Sequence, residues 1–289
     1  MVAINVGGLA IGAIYGLMAV GVVLVFRTTA RVNFAHGEVL TFGGYAYWLA
    51  TKNGTSQALE LALVLALGIV IGVGFFVITH YLLGRSDELT VVIGTLGVSV
   101  VMLNAVQLHY TDLGHRVPGW LTGYSTVPIG GGEVVPSNTF VILGVGIVST
   151  LALHAWFQLT RRGQAVRAVA ESREDAALSG IPVRRVLLFS WVAGCAFATL
   201  SGLLLAPAVD VYPSMGGDIL FKGFVAAALG GFESIIGAMV GGLLLGLIEV
   251  HSNQLFGAEM KDLISFLILL AVLLVRPQGL FGRTQLRRV

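Results

Sequence analysis

Apolar residues in this chain fall in long unbroken runs, without the two-residue alternation of a half-buried strand or the one-sided stripe of a surface helix. The first run, 2–26, exceeds the roughly 20 residues that cross a bilayer. It has no basic leader and no evident cleavage site, so it reads as a retained span. The stretch "RTTARVNFAHGE" separates it from a shorter run, 34–50, and "TKNGTSQ" forms a turn. Further runs cover 59–83, 90–108, 139–159 and 186–209. The break at 84–89 is short. The loop 109–137 is the longest polar stretch, with turn chemistry in "RVPGW" and "GGGEVVP". In the last third, 219–231 is apolar but too short for a simple crossing, "GFES" interrupts it, and 235–250 and 263–275 follow before a basic tail. The pattern predicts a single all-α polytopic domain over 1–289, a bundle of about eight or nine transmembrane or half-spanning helices.

Composition names the solvent. The chain is 56% hydrophobic and 11% charged, against roughly 25% charged in a soluble domain, and its mean hydropathy is +0.90. Helices apolar all round need a non-aqueous environment. In lipid the backbone must satisfy its own hydrogen bonds, which unbroken runs do as helices. The lone cysteine, Cys195, excludes an internal disulfide and a multi-cysteine metal site. Nothing in the charge pattern points to nucleic acid.

Basic residues set an expected orientation. Placing 27–31, 84–88, 161–185 and the C-terminal tail on one side collects Arg27, Arg31, Arg85, Arg161, Arg162, Arg167, Arg173, Arg184, Arg185, Arg276, Arg283, Arg287 and Arg288. The other side keeps Lys52, Arg116 and Lys261, and Lys222 falls in the short apolar segment. The N-terminus is then expected outside, the C-terminus in the cytoplasm, and the number of crossings is odd. Glycines recur every fourth residue at Gly8, Gly12 and Gly16, at Gly68 and Gly72, at Gly237 and Gly241, and at Gly242 and Gly246, which predicts closely packed helix pairs. A faint internal likeness links Phe34 and Gly43-Gly44 with Phe221 and Gly230-Gly231, in two short, glycine-broken segments. Paired interrupted segments point to a transporter's pathway.

Candidate chemistry is sparse. In "NFAHGE", Asn33 can cap a helix starting at Phe34, with Glu38 near its positive end. Alternatively, Asn33, His36 and Glu38 border a polar route near the cytoplasmic end of the bundle. His36 and Glu38 spell the H-x-E of zinc deaminases, but one cysteine cannot complete that site. No lysine follows a glycine, so there is no nucleotide-binding P-loop and no catalytic or metal site is expected. Asp210, Asp218, Glu233, Glu249 and Asp262 lie at run ends, with Glu249 expected to mark the end of a helix. That placement argues against an ion-coupled secondary transporter. The loop 161–185 carries nine charged residues. Its helix formers, with Gly180 at a C′ position and Pro182 behind it, predict one short helix over 164–179, long enough for a docking surface.

These segments resemble a known family. Glu171, Ala176, Gly180 and Ile181 follow the order of the cytoplasmic "EAA" loop of ABC importer permeases, although Ser172 and Arg173 stand where the widest pattern has consecutive alanines. "VNFAHGEVLTFGGYAYW", "RAVAESREDAALSGIPVRRV" and "FKGFVAAALGGFESIIGAMVGGLLLGLIE" together resemble the branched-chain amino-acid permeases of the LivH type. The resemblance implies a permease subunit in a bacterial plasma (inner) membrane, paired with a second homologous permease. It implies two ABC ATPase subunits that use ATP and Mg, docked on a loop in which Gly163, Arg167, Glu171, Ala176, Gly180 and Ile181 take part. It also implies an extracytoplasmic binding protein, and no cofactor on this chain. Urea or short amides are the alternative cargo within the same family pattern.

Overall fold

The computed structural model describes residues 1–83, 87–110, 114–129 and 132–282. Arg85, Arg283, Arg287 and Arg288 of the basic set lie outside the described residues. Eleven α-helices are present among those described: α1 Val2–Thr29, α2 His36–Lys52, α3 Gln57–Val77, α4 Glu88–Gln107, α5 Asn138–Leu159, α6 Arg161–Glu171, α7 Arg173–Leu178, α8 Val183–Val209, α9 Met215–Gly230, α10 Ile235–Phe256 and α11 Lys261–Val275. A π-helical turn, Ile78–Leu82, extends α3. Six helices are long and apolar enough to cross a membrane, while α2, α9 and α11 are shorter.

The expected spans are met within about three residues at most ends, with two consequential exceptions. The helix expected over 235–250 runs on to Phe256 as α10, which puts Glu249 inside a helix instead of at its end. The segment expected from 219 begins at Met215, which brings Asp218 into the first turn of α9. The polar loop 109–137 also folds more than its composition suggested. Strands β1 (Thr126–Pro128) and β2 (Val134–Pro136) pair antiparallel with Val127 opposite Val135. His115 and Val211 exchange two backbone hydrogen bonds of 2.9 and 3.0 Å. The Tyr47 hydroxyl donates to the Pro118 carbonyl and the Trp120 indole N–H to the Gln57 carbonyl. Trp48 stacks on His115 with centroids 4.1 Å apart. The loop thus forms a cap over one end of the bundle, called here the hairpin end. Residues 27–31, α6, α7, the start of α8 and Arg276 gather at the opposite end, so the nine described arginines of the larger basic group share that end.

α1 is the centre of the molecule, buried without a break from Gly12 to Val25. It packs along α10 through the glycine series. A Cβ on Gly12 would lie 2.6 Å from the Gly242 carbonyl oxygen, and one on Gly8 3.1 Å from that of Gly246. Only a glycine seam lets two backbones approach so closely. On the far side, Gly68 and Gly72 of α3 face Ala196 and Val192 of α8 in the same manner.

The faint internal likeness becomes a structural repeat, but in another register. α1 ends at Ala30 and α8 at Asp210, both with positive φ (51° and 64°). Each chain then turns back into the bundle before a short helix begins, α2 or α9. The first turns of those two helices meet. A Cβ on Gly37 would lie 2.6 Å from the Gly216 carbonyl oxygen, and Gly216 faces Gly37 reciprocally. Gly37 and Gly216 are the second residues of α2 and α9 and so hold matching places, whereas Gly43 faces Thr199 of α8, Gly44 faces Met215 of α9, and Gly230-Gly231 face Gly237 and the chain beyond α11. α2 runs towards the hairpin end and α9 away from it, so the two units are inverted.

Candidate functional site

The first group of candidates sits where α2 begins. Asn33 does not cap a helix at Phe34. Its Oδ1 accepts the Ala35 N–H at 3.0 Å, closing a tight local turn, and α2 starts at His36 with no side-chain cap. The reason is depth, since this segment re-enters the bundle instead of opening a helix at its surface. His36 is 1% exposed. Its ring fills the gap left by two glycines on α1 and α8, where a Cβ on Gly21 would lie 2.7 Å from Nε2. Gly21 stands eight residues before the end of α1, or about 12 Å of helix rise, so His36 lies inside the bundle, in the half nearer the α6–α7 end. Neither ring nitrogen has a hydrogen-bond partner among the described residues. Glu38 is also buried, and its Oε1 accepts from the Ser99 hydroxyl of α4 at 3.4 Å. The Phe34 N–H donates to Thr95 Oγ1 at 3.4 Å. Asn33, His36 and Glu38 thus share one short segment but face different neighbours: Asn33 its own turn, His36 the α1 and α8 glycines, and Glu38 α4, to which the segment is stitched.

A second group was missed from the sequence. Lys222 of α9 and Glu249 of α10 form an ion pair of 3.2 Å, with side chains only 12% and 9% exposed. The Tyr15 hydroxyl of α1 donates to the other carboxylate oxygen at 2.8 Å. Asp218, one turn before Lys222, accepts from the Tyr212 hydroxyl. All five residues line a cavity of about 630 Å3, whose walls also include Ile11, Ile219, Phe221, Val250 and Phe266. The sequence signal was present but masked. Glu249 precedes "VHSNQLF", which reads as a loop, and Lys222 lies in a run too short to count as a span.

The third group is the charged loop. The single helix expected over 164–179 is broken at Ser172, which is extended (φ −153°, ψ 118°). Thr160 caps α6 by accepting the Gly163 N–H at 2.9 Å, and Ser172 caps α7 by accepting the Asp175 N–H at 3.2 Å. Capping side chains of this type favour a new start over continuation. Gly163 lets α6 fold against the end of α5, since a Cβ there would lie 2.5 Å from the Trp156 carbonyl oxygen. Arg167 donates to Gln158 Oε1 at 2.6 Å. Val166, Val169 and Ala176 are buried, while Glu171, Gly180 and Leu178 are exposed and Ile181 is half-buried. Gly180 takes φ 77°. The Gly180 N–H reaches the Ala177 carbonyl and the Ile181 N–H the Ala176 carbonyl, both at 3.0 Å, which is the Schellman pattern. Arg173 Nε donates to the Thr28 carbonyl at 2.9 Å, tying α7 to the end of α1.

These features define a polytopic helical membrane protein with a buried polar interior and a preformed, capped helix pair at one end. The comparisons place it more closely. Residues 4–273 match the family described as "Branched-chain amino acid transport system / permease component", and the chain belongs to that family. It is 32% identical to the high-affinity branched-chain amino acid transport system permease protein LivH of Escherichia coli K12, over 98% of this chain and 96% of that protein. It shares the same identity and coverage with the permease protein BraD of Pseudomonas aeruginosa. A probable LivH of Methanocaldococcus jannaschii is 28% identical over 92% of this chain and 88% of its own. Among solved structures, PsaBC from Streptococcus pneumoniae in complex with Fab has a similar fold, with a TM-score of 0.55 at 13% identity over 94% of this chain and 91% of that one. The protein is therefore a multi-pass membrane permease component.

Proposed function

We propose that this chain is the membrane-spanning subunit of an ATP-driven importer that carries branched-chain amino acids across a bacterial plasma membrane. The near full-length likeness to LivH and BraD carries this reading. The hairpin end is the extracytoplasmic face, where a binding protein delivers cargo. The α6–α7 end is cytoplasmic and receives an ATPase on the exposed side of α7. Two such ATPases and a second, homologous permease complete the assembly, and the ATPases supply the ATP and Mg chemistry. Asn33, His36 and Glu38 border the route in its cytoplasmic half, where α2 begins. Glycine-broken helices that start inside a membrane bring backbone polarity and positive helix ends to the middle of a pathway. The test is uptake by the co-expressed subunits of leucine, isoleucine, valine and urea. ATP-dependent accumulation of the three amino acids is expected. Accumulation of urea alone would reassign the cargo, and transport by the lone chain on an ion gradient would overturn the reading.

A further inference from the structure

The cavity between α1, α9, α10 and α11 combines charges of both signs with apolar walls. Asp218 and Lys222 are four residues apart on α9, so they lie on one helix face with Cβ atoms about 6 Å apart. Asp218 is exposed to the cavity. The Lys222 ammonium is held from behind by Glu249, and Tyr15 orients that carboxylate in turn. A volume of about 630 Å3 lies within the roughly 300–1,000 Å3 usual for small-molecule sites. On α1 the cavity is lined by Gly7, Ile11 and Tyr15, nearer the hairpin end than Gly21, against which His36 packs, so it lies ahead of His36 on a route from that end.

We propose that Asp218 and Lys222 form a recognition station for the zwitterionic head of an aliphatic α-amino acid, with its side chain against Ile11, Phe221 and Phe266. This rests on the functional reading above. The substrate carboxylate meets Lys222 and its ammonium meets Asp218. A zwitterion carries both charges on one carbon and so matches two opposite charges one helical turn apart. An inorganic anion would meet the lysine and be repelled by Asp218, and a neutral amide uses neither charge fully. A polar side chain in place of the aliphatic one would lose its water without gaining partners on the apolar wall.

The test is equilibrium binding of radiolabelled leucine to the assembled transporter without its binding protein, alongside 4-methylpentanoate, which lacks the ammonium, and 3-methylbutylamine, which lacks the carboxylate. Wild type is expected to bind leucine at least tenfold more tightly than either analogue. Asp218→Asn should weaken leucine at least tenfold and leave 4-methylpentanoate no weaker. The double variant Lys222→Met/Glu249→Gln, which leaves no uncompensated charge, should weaken leucine and leave 3-methylbutylamine no weaker. A purely structural role would weaken all three ligands alike. That result, wild-type leucine binding in Asp218→Asn, or no leucine binding by a wild-type complex that transports leucine, overturns the station. If the double variant fails to assemble, the exposed Asp218 decides alone. Loss of the station with leucine uptake intact leaves the importer reading standing, whereas a wild-type complex that accumulates urea and not leucine removes the cargo assignment on which the station rests.

Discussion

A lysine and a glutamate buried between apolar helices lose hydration that their mutual attraction recovers only in good geometry. Lys222 and Glu249 meet that condition, with a 3.2 Å contact and Tyr15 on the second carboxylate oxygen. Removing one partner strands the other, which costs about 3–5 kcal/mol for a buried pair. Lys222→Met alone and Glu249→Gln alone are therefore expected to lower the thermal midpoint of the purified assembly sharply, and the double variant to restore most of it. Equal midpoints for single and double variants would show that the two charges are not coupled. Glu38 poses the same question with less support, since its one hydrogen bond within the described residues is the 3.4 Å contact from Ser99. Glu38→Gln keeps the size and the bond to Ser99 but removes the charge. Uptake is expected to fall at least tenfold with assembly unchanged. Normal uptake would show that the carboxylate has no required role, and failed assembly would make that role structural.

At the scale of elements, glycine does two different jobs. At the α1–α10 seam it permits contact, so Gly12→Leu, whose first added carbon would press within 2.6 Å of the Gly242 carbonyl, should abolish recovery of folded protein from detergent. Normal yield would mean the seam can open. At Gly180 it permits a turn. Only glycine adopts φ near 77° at no steric cost, and a β-branched residue there costs about 1 kcal/mol or more. Gly180→Val should leave the permease inserted while reducing ATPase copurification and ATP-driven uptake severalfold. Full docking and transport would make the loop a plain connector. The Gly180 turn and the glycine seam were legible in the sequence because each rests on local spacing. The break at Ser172 was not, since helix propensity runs on through that residue and only the cap on Asp175 and the Arg173 bond to α1 end α6 there. Long spans were legible because apolar length alone specifies them. The short runs that become α2 and α9 were legible too, but not their entry turns or the meeting of their first turns, because these depend on contacts between residues some 180 positions apart. Glu249 looked like a helix end for the same reason, since the hydroxyl and the ammonium that meet it come from Tyr15 of α1 and Lys222 of α9.

At the scale of the whole molecule, the inverted units tie sidedness to sequence. The nine described arginines of the larger basic group lie at the α6–α7 end, and bilayers retain such residues on the cytoplasmic side. The hairpin end carries few basic residues, and its aromatic cluster of Tyr45, Trp48, Tyr110 and His115 suits an interface where rings meet headgroups. Two exposed positions separate the ends cleanly: Tyr124, 77% exposed beside β1, and Leu178, 87% exposed on α7. The background for labelling is Cys195→Ala, since the native thiol is buried and its replacement removes a single sulfur from α8. A membrane-impermeant maleimide applied to intact cells should label Tyr124→Cys to completion and leave Leu178→Cys untouched until the membrane is opened. The reverse pattern would invert the chain, placing α6 and α7 where no cytoplasmic ATPase could reach them, and the proposed coupling would fall with the topology. Labelling of both positions in intact cells would instead mean that the chain had inserted in two orientations, and the arginine bias would then be too weak to set the direction in which the importer works.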